Sequence, residues 1–194
     1  MRTEWLVAAL AVGGYLLGSI PFGVLVCKAF ATVDPRTAGS YNIGFTNVLR
    51  VAGKRAGVLT LIGDMGKGWL VGGAARYSLD HEALVLLAAL CPILGHMHSL
   101  FLRFSGGKGV ATAFGAVVGV APVVGAAILA LWIASVALWR MSSLGALVAF
   151  GSFPLVAILM GRSWAFVAFA AVVSGMIVWK HKENVVRLWA GTES

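Results

Sequence analysis

Residues 110–139 read VATAFGAVVGVAPVVGAAILALWIASVALW, thirty positions without a single charged side chain. At 1.5 Å per residue they make about 45 Å of helix, against a hydrocarbon core of roughly 30 Å. That is long for one membrane crossing and short for two. The pair Ala121-Pro122 lies near the middle, and proline pushes the residue before it away from helical geometry. The pattern therefore predicts two short spans, residues 110–120 and 122–139. Counting the segment as one or two decides on which side of the membrane everything after it lies.

The whole chain fits that setting. Of its 194 residues 60% are hydrophobic and 11% charged, and the mean hydropathy is +0.93. Soluble domains carry about 25% charged residues, so this composition belongs to a polytopic membrane protein. The remaining apolar runs give spans at about 5–27, 56–75, 83–102, 144–160 and 164–179. The expected fold is all-α, a single membrane domain over residues 1–194 with seven transmembrane helices. The first run is too long for the apolar part of a secretory signal, and no small-residue cleavage site follows it, so it reads as a retained span. Cys27 and Cys91 both fall in apolar runs and suggest neither a disulfide framework nor a metal site.

Seven spans place the polar segments 28–55, 103–109, 140–143 and 180–194 on one side. That side holds 11 lysines and arginines and the other holds three, Arg2, Arg76 and Arg162, with Lys67 inside the second span. The positive-inside rule makes the richer side cytoplasmic, with the N-terminus outside and the C-terminus cytoplasmic. A six-span reading would export Arg140 and the basic tail. The net charge of +8 then concerns orientation and anionic ligands. Aromatic residues interleaved with exposed basic ones, which a nucleic-acid surface needs, are absent.

Each cytoplasmic segment carries polar groups in a pattern. In Arg103-Phe104-Ser105-Gly106-Gly107-Lys108-Gly109 the glycines allow a sharp turn that gathers bare N–H groups, to which Lys108 adds charge. An anion nest and a plain basic loop both fit. No glycine stands where a Walker loop needs it. The first loop holds Ser40, Asn42, Thr46, Asn47 and Arg50, small donors in a compact stretch with a guanidinium suited to phosphate. An ordinary turn and capped helix would look similar. Asp64 and Lys67, three apart on the second span, share a helix face at a depth where charge is costly. They fit a self-neutralising pair or an anion pocket with Lys67 at its floor. His96 and His98 point to different faces, which argues against a shared metal and leaves His96 to buttress the following loop. In the tail, a helix would place His181, Asn184 and Arg187 on one face.

Taken in order, these segments resemble one family. Gly39-Ser40-x-Asn42-x-Gly44-x-Thr46-Asn47-x-x-Arg50, Asp64-x-x-Lys67-Gly68, Gly95-His96-Met97, Gly106-Gly107-Lys108-Gly109-Val110-Ala111-Thr112, Ser143-Leu144 and His181-x-x-Asn184-Val185-x-Arg187-Leu188-x-x-Gly191-x-Glu193 are similar to the motifs of the bacterial acyl-phosphate:glycerol-3-phosphate acyltransferases. The resemblance covers essentially the whole chain. It implies a seven-helix membrane enzyme of the cell inner membrane, with its active site on the cytoplasmic side. The reaction it implies moves a fatty acyl group from acyl phosphate to the sn-1 hydroxyl of glycerol 3-phosphate, giving lysophosphatidic acid for phospholipid synthesis. Ser40, Arg50, Lys108, His181 and Asn184 then become the catalytic candidates. Asn42, Thr46, Asn47, Lys67, Gly106, Gly107, Gly109 and Ser143 become substrate- or phosphate-binding candidates, with Asp64, His96 and Glu193 in support. Four positions depart from the family pattern. Tyr41 and Phe45 replace a common glycine and alanine, Ser99 a usual proline, and Ser105 a usual lysine.

The residues suit that chemistry. Acyl phosphate is a mixed anhydride with a good leaving group, so positioning, charge neutralisation and proton removal suffice. Either His181 or a substrate phosphate can take the hydroxyl proton. The His-x4-Asp signature of soluble-type acyltransferases, histidine and aspartate separated by four residues, is missing: Phe101, Arg103 and Val186 stand at that interval after His96, His98 and His181. No cofactor, metal or obligate protein partner is expected, and the expected partners are the two substrates and membrane lipid. The rival reading, a small-anion transporter, would use the intramembrane charge and glycine loop, but it calls for an inverted repeat that the chain lacks.

Overall fold

The computed structural model describes residues 2–193. Among these the secondary structure is wholly helical, and the chain divides into two compact units at the Val120–Ala121 junction.

The first unit contains α1 (Arg2–Ser19), α2 (Phe22–Ala29), α3 (Phe45–Ser78), α4 (Glu82–Met97), a 3-10 turn at Leu100–Leu102 and α5 (Val110–Val120). The expected span 5–27 is broken: α1 and α2 meet at 42° across Ile20-Pro21. Proline supplies no N–H to continue the ladder and displaces its predecessor from helical geometry. The second half of the expected loop 28–55 is helix, because α3 begins at Phe45. It kinks at Gly53 (φ 85°, ψ 177°), a backbone state that favours glycine. The short arm before the kink buries Val48 with Cys27 of α2 and Ala56 of the long arm, which is why it is helical at all.

Helix α5 is only 11 residues, about 16 Å, yet nearly all of it is buried. A seam of glycines explains this. A methyl on Gly68 or Gly72 of α3 would strike the carbonyls of Thr112 and Ala116 at 2.1 and 2.6 Å. One on Gly115 of α5 would strike Met65 O at 1.9 Å, and one on Gly119 would meet the Gly73 backbone nitrogen at 2.7 Å. Two small-xxx-small faces therefore bring the helix backbones together, as in membrane helix pairs. Helices α1 and α4 meet in the same way at Gly18 and Gly95.

The second unit contains α6 (Pro122–Trp139), α7 (Ser142–Gly151), α8 (Phe153–Leu159), α9 (Trp164–Lys180) and α10 (Lys182–Trp189). The helix break at Ala121-Pro122 falls where the sequence predicts it, with Pro122 opening α6. The expected span 144–160 is two helices bent by 41°, with Pro154 in the first turn of the second. The core is a cluster of edge-to-face rings, Phe150, Phe153, Phe166 and Phe169, with centroids 5.9–6.3 Å apart. Ser163 caps α9 by accepting the Phe166 N–H at 3.1 Å. The tail turns 63° from α9 into α10.

By length and composition, Glu82–Leu102 and Pro122–Trp139 are each able to cross a bilayer, and three bent pairs reach that length only together. Ile62, Leu70, Leu87, Val123, Leu155 and Leu159 are exposed, as lipid-facing residues would be.

Candidate active site

In the first unit the loop 30–44 is organised by one amide. Asn47 sits in the first turn of α3, 2% exposed. Its Oδ1 accepts the Ser40 N–H at 2.8 Å, and its Nδ2 donates to the carbonyls of Pro35, Ala38 and Asn42 at 2.8–3.1 Å. Asn42 turns back on itself, with Oδ1 accepting the Gly44 N–H at 2.8 Å. Asn47 is thus the loop's internal brace, not an exposed phosphate ligand. What the brace presents are Ser40, Thr46 and Arg50, all exposed. Nearby, Asp34 accepts from Nε and Nη2 of Arg36 at 2.6–3.1 Å, and those bonds hold its pKa below the ordinary carboxylate value.

The glycine loop leaves α4 and enters α5. Its backbone is closely bonded: Phe104 N–H donates to Ser99 O at 2.7 Å, Gly106 N–H to Met97 O at 3.2 Å and Gly107 N–H to His96 O at 3.0 Å. The amides of Gly106 and Gly107, expected to be bare anion donors, are therefore engaged with α4. Glycine is required there because a methyl would meet His96 O at 2.0 Å from position 106 and His96 Nε2 at 2.3 Å from position 107. Gly109 has φ +80° and turns the chain into α5 behind the half-buried Lys108. Ser99, the departure from proline, has φ −63°, which proline also adopts, and its hydroxyl donates to Ser19 O at 2.5 Å. Ser105 is exposed.

Beneath this loop lie Asp64, Lys67 and His96, each at most 4% exposed. Lys67 Nζ pairs with Asp64 Oδ1 at 2.8 Å, donates to Ile20 O at 2.9 Å and lies 2.9 Å from His96 Nδ1. It also sits 5.7 Å from the centre of the Phe22 ring. The ammonium is surrounded by protein acceptors, so it stands as a buried structural charge and not as the floor of an open anion pocket. The His96 carbonyl holds the Gly107 N–H, and its ring occupies the space that a Gly107 Cβ would need.

In the second unit, His181 joins α9 to α10 and is 3% exposed. Its Nδ1 lies 2.8 Å from Ile177 O, which only accepts, so Nδ1 carries the proton and Nε2 is the nitrogen with a lone pair in the neutral ring. Asn184 and Arg187 lie on one face of α10, as the spacing predicts. Asn184 Nδ2 and Arg187 Nε each donate to the Glu193 carboxylate at 2.6 Å. Glu193 also accepts from Ser143. Burial works against that carboxylate, but the bonds from Ser143, Asn184 and Arg187 outweigh it and hold its pKa below the ordinary 4.5. Among the described residues no His, Cys, Asp and Glu group is placed to hold a metal.

The profile of the family described as glycerol-3-phosphate acyltransferase matches residues 8–191. The chain belongs to that family. Relatives named glycerol-3-phosphate acyltransferase include those of Geotalea daltonii, 43% identical over 95% of both chains, and Nitrosospira multiformis, 46% identical over 96% of this chain and 94% of the relative. Two crystal structures of PlsY, an integral membrane glycerol 3-phosphate acyltransferase, superpose with TM-scores of 0.93 and 0.90 at 36% identity, over 97% of this chain and 94% of PlsY. One is the glycerol 3-phosphate form of PlsY and the other its lysophosphatidic acid form. The glycerol-3-phosphate acyltransferase reading makes the chain an enzyme, an acyltransferase, and sets the transporter reading aside. Its sequence signal missed two things: the bracing role of Asn47 and the enclosure of Lys67. A buried brace and a ligand are both polar residues in a motif, and only coordinates separate them.

Proposed function

We propose that the protein transfers a fatty acyl group from acyl phosphate to the sn-1 hydroxyl of glycerol 3-phosphate, giving lysophosphatidic acid and phosphate. The observation that carries this is the near-complete likeness to PlsY, whose two forms are those of glycerol 3-phosphate and lysophosphatidic acid. The donor is the one that the resemblance implies, and the chemistry is consistent with it. The sequence lacks the histidine–aspartate signature of soluble-type acyltransferases, and transfer from an acyl phosphate can rest on positioning, charge neutralisation and proton removal. The hydroxyl oxygen bonds to the acyl carbon, the bond from that carbon to the phosphate oxygen breaks, and the hydroxyl proton leaves to a base.

Ser40, Arg50 and Lys108 are assigned to phosphate and leaving-group charge, with Thr46, Asn42, Gly109 and Ser143 in substrate binding. His181 is assigned either the hydroxyl proton, through Nε2, or the orientation of a phosphate that takes it, and Asn184 orients substrate beside it. Asn47, Gly106 and Gly107 support the segments that hold these groups. Seven spans are taken from the apolar runs, an N-terminus outside from the charge count, and an active site at the cytoplasmic face of the inner membrane from the resemblance.

Purified protein given acyl phosphate and labelled glycerol 3-phosphate is expected to form labelled lysophosphatidic acid, and no product from folded protein would refute the reading. Arg50→Ala and Lys108→Ala should each lower kcat/KM by about 100-fold or more, the scale of losing a charge-stabilising group, without preventing membrane insertion. Near-normal activity in either variant would remove that residue from the assignment.

A further inference from the structure

The buried group of Asp64, Lys67 and His96 has no part in the chemistry above, yet it touches the loop that carries Lys108. Lys67 Nζ forms an ion pair with Asp64 Oδ1 at 2.8 Å and lies at hydrogen-bond distance, 2.9 Å, from Ile20 O and His96 Nδ1. An ammonium has three donors and no acceptor. His96 Nδ1 therefore accepts, and the ring proton resides on Nε2. The competing contact, His96 Nδ1 to Asp64 Oδ1 at 3.4 Å, is longer, and Asp64 Oδ1 makes an ion pair without a well-angled hydrogen bond. The protonated edge of the ring is the one packed at Gly107, 2.3 Å from where a Cβ would stand, while the His96 carbonyl holds the Gly107 N–H.

We infer that Lys67 and His96 are positioning residues for the Gly106–Gly109 segment: the ammonium fixes the imidazole in one tautomer and one orientation, and the imidazole sets where Lys108 is presented. Three separate segments meet at that ammonium. Asp64 comes from α3, Ile20 from the break between α1 and α2, and His96 from the end of α4. An apolar side chain would fill the same space at lower desolvation cost, but it would leave the ring free to rotate. A charge held by two directional hydrogen bonds and an ion pair specifies one arrangement. This inference rests on the reading of the loop as part of the glycerol 3-phosphate site.

A variant cycle tests it. Gly107→Ala puts a methyl against His96 Nε2 and is expected to raise the KM for glycerol 3-phosphate by about 100-fold, the scale of an ångström-sized misplacement. The KM for acyl phosphate should stay within about twofold if the displacement is confined to this loop. His96→Asn shortens the side chain away from Gly107 and keeps an acceptor near the Nδ1 position for Lys67. In the Gly107→Ala background it should recover about tenfold of the lost kcat/KM, since neighbours in contact do not combine additively. Additive losses, or equal rises in both KM values, would overturn the inference. Nitrogen NMR on protein labelled at histidine gives a readout independent of activity, and in the parent independent of any variant's folding. It should show His96 with Nδ1 bare and Nε2 protonated in the parent, and rotation or tautomer exchange of that ring in Lys67→Met. A protonated Nδ1 in the parent, or an unchanged ring in Lys67→Met, also overturns it. Loss of the transfer reaction in the parent itself would instead strike the proposed function.

Discussion

At Tyr41 the backbone takes φ +58°, the left-handed region, with the side chain 69% exposed. Crowding of Cβ against the backbone there costs roughly 1–2 kcal/mol. The residue cannot relax, because Asn47 holds the Ser40 N–H on one side and the Asn42 carbonyl on the other. Backbone geometry at position 41 therefore favours glycine, without any appeal to a ligand. Tyr41→Gly should raise stability by up to about 1 kcal/mol, the strain relieved less the extra chain entropy of glycine. Thermal melting of the detergent-solubilised protein checks this. A fall in melting temperature would mean that the tyrosine ring gives more than its backbone loses.

Elements position the site by two different means. Helix α5 is placed by contact of backbones, since Gly68 and Gly72 face Thr112 and Ala116 with no side chain between them. That fixes where the chain after Lys108 must go. Helix α10 is placed by charge: the Glu193 carboxylate, its side chain 6% exposed, gathers Asn184, Arg187 and Ser143. This makes the clasp sensitive to acid. The folded-state pKa lies below 4.5, so the contribution is fully present above that value and is lost as pH falls through the folded pKa. Melting temperature should therefore decline below about pH 4.5 more steeply in the parent than in Glu193→Gln, which has no carboxylate to protonate. Parallel profiles for the two proteins would show that Glu193 carries none of the acid sensitivity.

For the whole molecule, much of the helical order is legible in the sequence because apolar runs and prolines act locally. Ala121-Pro122 divides α5 from α6 as its residues alone predict. The bends at Ile20-Pro21 and Ser152 were equally local but masked by uninterrupted hydropathy. The helical start of α3 at Phe45 was masked by the polarity of its exposed face. The seam between α3 and α5 was legible in principle as Gly68-xxx-Gly72 and Gly115-xxx-Gly119, but pairing them needs to know which helices are neighbours. Candidate site residues are found by motif, but the motif does not separate the buried Asn47 from the exposed Ser40, because both are small polar residues and only their enclosure divides them. Orientation is the property that the charge pattern alone proposes. With Cys27 and Cys91 replaced by alanine, Glu4→Cys and Thr192→Cys place single thiols near the two ends. An odd number of crossings with the N-terminus outside requires that an impermeant maleimide reach position 4 in intact cells and position 192 only after permeabilisation. Labelling of both from one side would require an even number. The apolar stretch at 110–139 would then be the first place to look, since joining its two helices into one crossing changes the parity and reverses the side of every basic residue after it.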